Sequence, residues 1–196
     1  WHLNPWPKPF NLIPAFVGKY GEPWMFSLLY RNVRFMTVSE STKKDLQKYS
    51  IKEIRVVNNG VTLPKRIPIC QKEKNFTIMN LSGLAKDKGI EDAIKIFYLT
   101  KSMIPNIKFW VVGKGDPESI SYLRGICPEA KYWGFVSETL KFELLSRAHV
   151  LLNPSIHEGW GLVNIEANAC GTPVVGYNVS GVRDSVRSGK TGILVE

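Results

Sequence analysis

Leu151-Leu152-Asn153-Pro154-Ser155-Ile156-His157-Glu158-Gly159-Trp160-Gly161-Leu162-Val163-Asn164-Ile165-Glu166-Ala167 is the stretch from which the fold of this chain is read. A short apolar strand, begun at His149, ends at Asn153; a turn then carries Glu158 and two glycines, and a helix starts near Leu162 and runs to Cys170. The same unit of strand, loop and helix repeats on either side. Upstream, Phe76–Leu81 reads as a buried strand, and Ile90, Ala93, Ile94 and Phe97 mark one helical face at i, i+3, i+4, i+7. Ile107–Val112 is a strand, Glu118–Arg124 a helix, Lys131–Trp133 a short strand and Glu138–Arg147 a helix. Downstream, Pro173–Gly176 and Gly192–Val195 read as strands, with the proline tolerated at a first position. Alternation of this kind predicts an α/β fold, a Rossmann-like doubly wound parallel sheet with helices on both faces. Ligands of such sheets sit beyond the carboxyl ends of the strands.

The polar loops fall at those ends. Glycines at 159 and 161 let a backbone approach a ligand closely, and free N–H groups at the helix start suit a diphosphate. Glu166, one helical turn beyond Leu162, is expected to face the same cavity as Glu158, eight positions earlier. Two carboxylates there would repel a diphosphate unless they take hydroxyl partners, which a sugar and a ribose provide. The alternative is a pair of surface acids at a helix N-terminus.

Here a family resemblance becomes specific. Glu158 and Glu166, with seven residues between them, resemble the E-x7-E motif of family 4, the retaining glycosyltransferases of GT-B fold. Glu166-Ala167-Asn168-Ala169-Cys170-Gly171-Thr172-Pro173-Val174-Val175 is similar to that family's E-A-x-A-x-G-x-P-V-V run. Gly181-Val182-Arg183-Asp184 through Gly192 is similar to the segment that comes next in the family. The resemblance implies that Glu166 bonds the donor ribose and that Glu158, Gly159, Trp160, Gly161 and Leu162 face the donor sugar and diphosphate. Leu81-Ser82-Gly83-Leu84-Ala85-Lys86-Asp87-Lys88-Gly89 resembles the family's G-R-L-x-x-x-K-G loop, whose Arg and Lys hold the diphosphate. Lys88 agrees, but Gly83 stands in the place of the Arg, which weakens donor binding unless Lys86 or Lys114 substitutes. Val111-Val112-Gly113-Lys114-Gly115 is similar to the family's V-x-G-x-G turn. Tyr132-Trp133-Gly134-Phe135-Val136-Ser137 is similar to its base-cradling segment, so Phe135 and Val136 join the donor residues. Catalysis is assigned by resemblance to Glu158 and Lys88, with no metal and no cofactor: the nucleotide sugar is a substrate.

The rest of the chain is organised around this domain. Arg34–Val38 reads as a short strand, Ser39 onward as a helix start with a hydroxyl N-cap, Ile54–Val57 as a second strand, and Asn58-Asn59-Gly60 as a turn. Residues 1–56 resemble only the tail of the family's acceptor-binding domain; 57–75 read as an interdomain linker, and 76–196 as the donor-binding domain without its final helix. The chain opens on Trp1 rather than Met, with no signal-peptide pattern, and is read as a piece of a longer protein. Trp1, Trp6, Phe10, Phe16, Trp24 and Phe26 mark either an acceptor- or membrane-facing surface or a face that packs on missing chain.

Bulk properties set the remaining bounds. Of the net charge of +9, residues 1–56 contribute +5, nine basic against four acidic, and the rest +4. This spread charge suits an anionic partner, a nucleotide diphosphate or an anionic membrane surface, and argues against a nucleic-acid domain. Cys70, Cys127 and Cys170 fit no metal pattern and read as buried free thiols in a reducing cytosol. His149 reads as a packing or surface residue, while His157 lies within reach of a donor; His2 reads as packing or disordered. The expected activity is transfer of a sugar, with GDP-mannose as the guess for the donor, to a hydroxyl of a glycan or lipid-linked acceptor. The expected setting is cytoplasmic, at most peripheral to the inner membrane surface. A non-catalytic nucleotide-sugar-binding or assembly module, or another GT-B enzyme such as an epimerase or phosphorylase, remains open.

Overall fold

The computed structural model describes residues 22–49, 51–68 and 70–196, and the chain divides into two compact units at Asn58/Asn59. Trp1, His2, Trp6, Phe10 and Phe16, named above as surface or packing residues, lie outside the described residues.

The first unit contains α1 (Glu22–Tyr30), β1 (Phe35–Thr37), α2 (Glu40–Gln47) and β2 (Ile54–Val56), with β1 and β2 parallel. Ser39 caps α2 as the sequence indicates: its Oγ accepts from Thr42 N at 3.1 Å. The helix α1 was not expected. Its proline lies in the first turn, where a missing N–H costs nothing, and its apolar residues follow no helical period; Trp24, Met25, Leu28 and Leu29 are all exposed. No hydrogen bond closes the predicted turn at Asn58-Asn59-Gly60, and the boundary between the units falls there instead.

The second unit is built on one six-stranded parallel sheet. Its strands are β3 (Thr77–Leu81), β4 (Lys108–Val112), β5 (Lys131–Gly134), β6 (Val150–Asn153), β7 (Val174–Tyr177) and β8 (Gly192–Val195). They lie in the order β5-β4-β3-β6-β7-β8. The helices are α3 (Ile90–Met103), α4 (Pro117–Ile126), α5 (Glu138–Arg147), α6 (Leu162–Ala169) and the short α7 (Val182–Ser185). Two apolar layers cover the sheet, and neighbouring strand residues divide between them. Ile78, Phe109, Val111 and Leu152 pack with Ile94 and Phe97 of α3 and Leu123 of α4. Met79, Trp110, Val112 and Leu151 pack with Leu144 and Leu145 of α5 and Ala167 of α6. This is the doubly wound α/β arrangement predicted. The four residues read as one face of α3 are its four buried residues. Strand β7 begins at Val174 because Pro173 has no N–H to give a ladder; its carbonyl still accepts from Leu151 N at 2.9 Å.

Counting from β3, the order is third, second, first, fourth, fifth, sixth, so the chain reverses its direction of winding between β3 and β6. The two pair only through Ile78–Val150 and Met79–Leu151. Beyond that point the ladder ends, and the buried Asn80 side chain donates to Leu152 O at 3.1 Å in its place. The crevice at such a switch point is where ligands bind.

Residues 70–73, within the stretch read as a linker, are tied to the second unit. Cys70 N donates to Ser146 Oγ at 2.8 Å, Lys72 Nζ to Ala148 O at 2.6 Å and Thr172 Oγ1 at 2.7 Å, and Glu73 pairs with Arg147 at 2.5 Å. Arg147, then Lys108, hold the Glu73 carboxyl below its ordinary range against the opposing effect of burial. No disulfide forms among the described residues. Cys127 is buried as expected, but Cys70 and Cys170 are only half-buried, with burial pushing the Cys170 thiol up to about 11. Among the described residues no helix is long and apolar enough to cross a membrane.

Candidate donor-binding site

Two loops meet at the switch point. The first, residues 82–89, comes after β3 and includes a single 3-10 turn, Lys86–Lys88. It is held from one side by β4: Ser82 N donates to Val112 O and Leu84 N to Lys114 O, each at 2.9 Å. From the other side the second loop, 154–161, donates Ile156 N to Asp87 O at 3.2 Å. The loops approach closely at Gly89, where φ is +71° and an added Cβ would lie 2.1 Å from Pro154 O. Only glycine fits there, and this contact delivers Lys88 to the second loop. Lys88 Nζ lies 3.1 Å from Glu158 Oε2 and 3.4 Å from His157 O. The pair is partly exposed, at 28% and 23% for the two side chains, so it remains open to a ligand.

Helix α6 starts at the end of the second loop. Its N-cap is Gly161, at φ +75°, which brings no side-chain acceptor to the first-turn N–H groups. Asn164 N donates to Gly161 O at 3.0 Å, and the N–H groups of Leu162 and Val163 stay available to an anion. Beneath them the buried Asn164 takes a bond from Asn153 Nδ2 at 2.8 Å and gives one to Ser185 Oγ at 2.9 Å, locking the helix start to β6 and α7. Sequence reading passed over Asn164; its place one turn into a glycine-led helix is the signal that was available. Trp160 is buried, and its indole N–H has no partner among the described residues.

Glu166 is buried to 9% exposure on the next turn of α6. Each of the two carboxylates has a cation beside it: Glu158 takes Lys88, and Glu166 Oε1 takes Lys141 Nζ at 2.8 Å. Lys141, on α5, also meets Glu138 Oε2 at 2.8 Å. Burial alone would lower it, but the bonds to Glu138 and Glu166 hold its ammonium above the ordinary lysine value. No spacing in the sequence marks Lys141 as a partner of Glu166, because the two are on different helices.

The remaining predicted residues are spread around the same end of the sheet. Gly83 is exposed, and a Cβ there would meet only Lys114 O, at 3.5 Å. Lys114 is exposed and makes no side-chain ion pair or hydrogen bond among the described residues. Gly159 and Leu162 are exposed, Gly161 buried. Phe135 and Val136 come after β5 at the sheet edge; Phe135 is 84% exposed and stacks on no other described ring, and Val136 is half-buried. His157 is exposed and meets Lys88 through its carbonyl. His149 is structural: its Nδ1 accepts from Thr77 N at 3.1 Å, and its ring stacks on Phe76. Among the described residues no three His, Cys, Asp or Glu side chains group as metal ligands. A cavity of about 390 Å³ lies away from this site and is lined by residues such as Glu73, Lys108, Glu129 and Arg147.

Comparison with known proteins bears on the family and the fold. The chain is 35% identical over 127 residues to the capsular polysaccharide biosynthesis glycosyltransferase CapM of Staphylococcus aureus, a match of 62% of this chain and 33% of that protein. It is 29% identical over 148 residues to a glycogen synthase of Mycobacterium tuberculosis, covering 72% of this chain and 36% of the relative. The chain thus spans about a third of the length of these curated relatives. Among solved structures, Anabaena HepE in complex with UDP and glucose superposes with a TM-score of 0.71 at 18% identity, over 89% of this chain and 53% of that one. The family description "Glycosyl transferases group 1" matches residues 65–196, and the chain belongs to that family.

Proposed function

We propose that this chain is the donor-binding half of a retaining glycosyltransferase, which moves a sugar from a nucleoside diphosphate to a hydroxyl of a glycan or lipid-linked acceptor. The observation that carries the reading is the Lys88–Glu158 pair beside the uncapped start of α6, at the switch point of the sheet. Negative charge develops on the leaving diphosphate, and Lys88 with the N–H groups at the start of α6 is placed to stabilise it. Glu158 orients the sugar, Glu166 takes ribose hydroxyls through its unpaired Oε2, and Phe135 offers a ring face to the base. Residues 1–56 then belong to the tail of an acceptor domain, joined through 57–75, and the reaction runs without a metal or cofactor.

GDP-mannose is one candidate donor, and UDP-glucose is a second, since HepE, of similar fold, holds UDP and glucose. Incubating the full-length protein with GDP-mannose and with UDP-glucose, and following the anomeric configuration of the product by NMR, tests the reading. Transfer with retention, lost in Lys88→Ala, is expected. Transfer with inversion, or none with any donor, counts against it. Gly83, where a side chain has room and none is present, favours the second reading, a non-catalytic nucleotide-sugar-binding or assembly module. That reading predicts binding without turnover.

A further inference from the structure

We propose that Lys141 is a positioning residue for recognition of the nucleoside: it engages one oxygen of Glu166 and leaves the other presented to a vicinal diol of the ligand. This role rests on the donor-site reading above and deepens it.

The geometry is specific. Lys141 and Glu166 have side chains only 14% and 12% exposed, and their 2.8 Å contact joins α5 to α6. A carboxylate this enclosed has few orientations once one oxygen is bound by an ammonium. Glu166 Oε2 has no partner among the described residues, and it is not sealed from solvent. It is therefore an acceptor held in place and unused. The ammonium is itself fixed: Glu138 takes a second N–H, and the Phe142 ring lies 4.9 Å away. Charge supports the same role. Two bare carboxylates beside a diphosphate would oppose its binding; here Lys88 offsets Glu158 and Lys141 offsets Glu166, so the second acid can serve a neutral diol without repelling the phosphates.

A diol contact is read by removing the diol. The binding of UDP, GDP and ADP to this chain is compared with that of their 2′,3′-dideoxy forms, for wild type, Lys141→Met, Lys141→Arg, Glu166→Gln and the double variant Lys141→Met/Glu166→Gln. Thermal melting of each verifies folding. Wild type is expected to prefer the ribose form of its nucleotide by roughly tenfold or more. Lys141→Met should bring that ratio close to one, Lys141→Arg should keep most of it, and Lys141→Met should change nothing further in the Glu166→Gln background. A ratio undiminished in Lys141→Met overturns the role of Lys141 and leaves the donor site standing, even if absolute affinity falls. A wild-type ratio of one, or no nucleotide binding at all, overturns both.

Discussion

Replacing Gly83 by arginine adds a cation to the 82–89 loop, which the proposed function places beside the donor diphosphate, at a position with room for a side chain. The backbone at Gly83 is not in the left-handed region, and a Cβ there meets only Lys114 O, at 3.5 Å, an ordinary contact. Stability should therefore change by less than about 0.5 kcal/mol. A guanidinium reaching the diphosphate forms charge-assisted bonds, each contributing about 1.5–3 kcal/mol. The loop is partly exposed, which places the gain toward the lower end, a roughly tenfold tightening of binding. Calorimetric titration of wild type and Gly83→Arg with UDP, GDP and ADP measures it. Repeating the titration at higher salt should shrink the gain, because the new interaction is ionic and solvent-facing. A variant that melts like wild type yet binds no tighter would refute the placement of the diphosphate at the 82–89 loop.

Two further outcomes are expected from the same geometry. Gly89→Ala forces a Cβ to 2.1 Å from a backbone oxygen at φ +71°, so the loop must move; a loss of about 2 kcal/mol or more, a Tm lower by roughly 4–8 °C, and weakened nucleotide binding are expected by calorimetry. For His149, burial first and Lys72 second lower the imidazole pKa, with Glu73 opposing them. The unfolded chain then takes up this proton at higher pH than the folded one, so the His149 contribution is complete above about 6.5 and declines as pH falls below it. His149→Gln, whose amide oxygen can still accept from Thr77 N, should flatten that limb of the stability–pH curve; an unchanged slope in urea melts would contradict it.

What the sequence made legible was local. The apolar period of Ile90, Ala93, Ile94 and Phe97, the hydroxyl cap at Ser39 and the limits of Glu138–Arg147 all depend on neighbours within a turn or two, and the structure reproduces them. The helix Glu22–Tyr30 was missed because its apolar residues surround it rather than line one face. The four-residue α7 is too short to carry a period. In the site, glycine spacing and the two glutamates stood out in one dimension. Lys88 was marked by the likeness of its loop, but its pairing with Glu158 was not, and Lys141 was not marked at all. Lys88 lies 70 positions from Glu158 and Lys141 lies 25 from Glu166, so their meeting depends on the winding of the sheet, which local pattern does not encode.

Thermal-shift titration of the 196-residue chain with UDP, GDP and ADP, beside Glu166→Ala, tests the central claim most directly. The account predicts that one diphosphate raises the melting temperature of the wild type, naming the base, and that Glu166→Ala abolishes that rise. Equal stabilisation of wild type and variant by all three, or of neither by any, would contradict a nucleotide-sugar site at the switch point between β3 and β6.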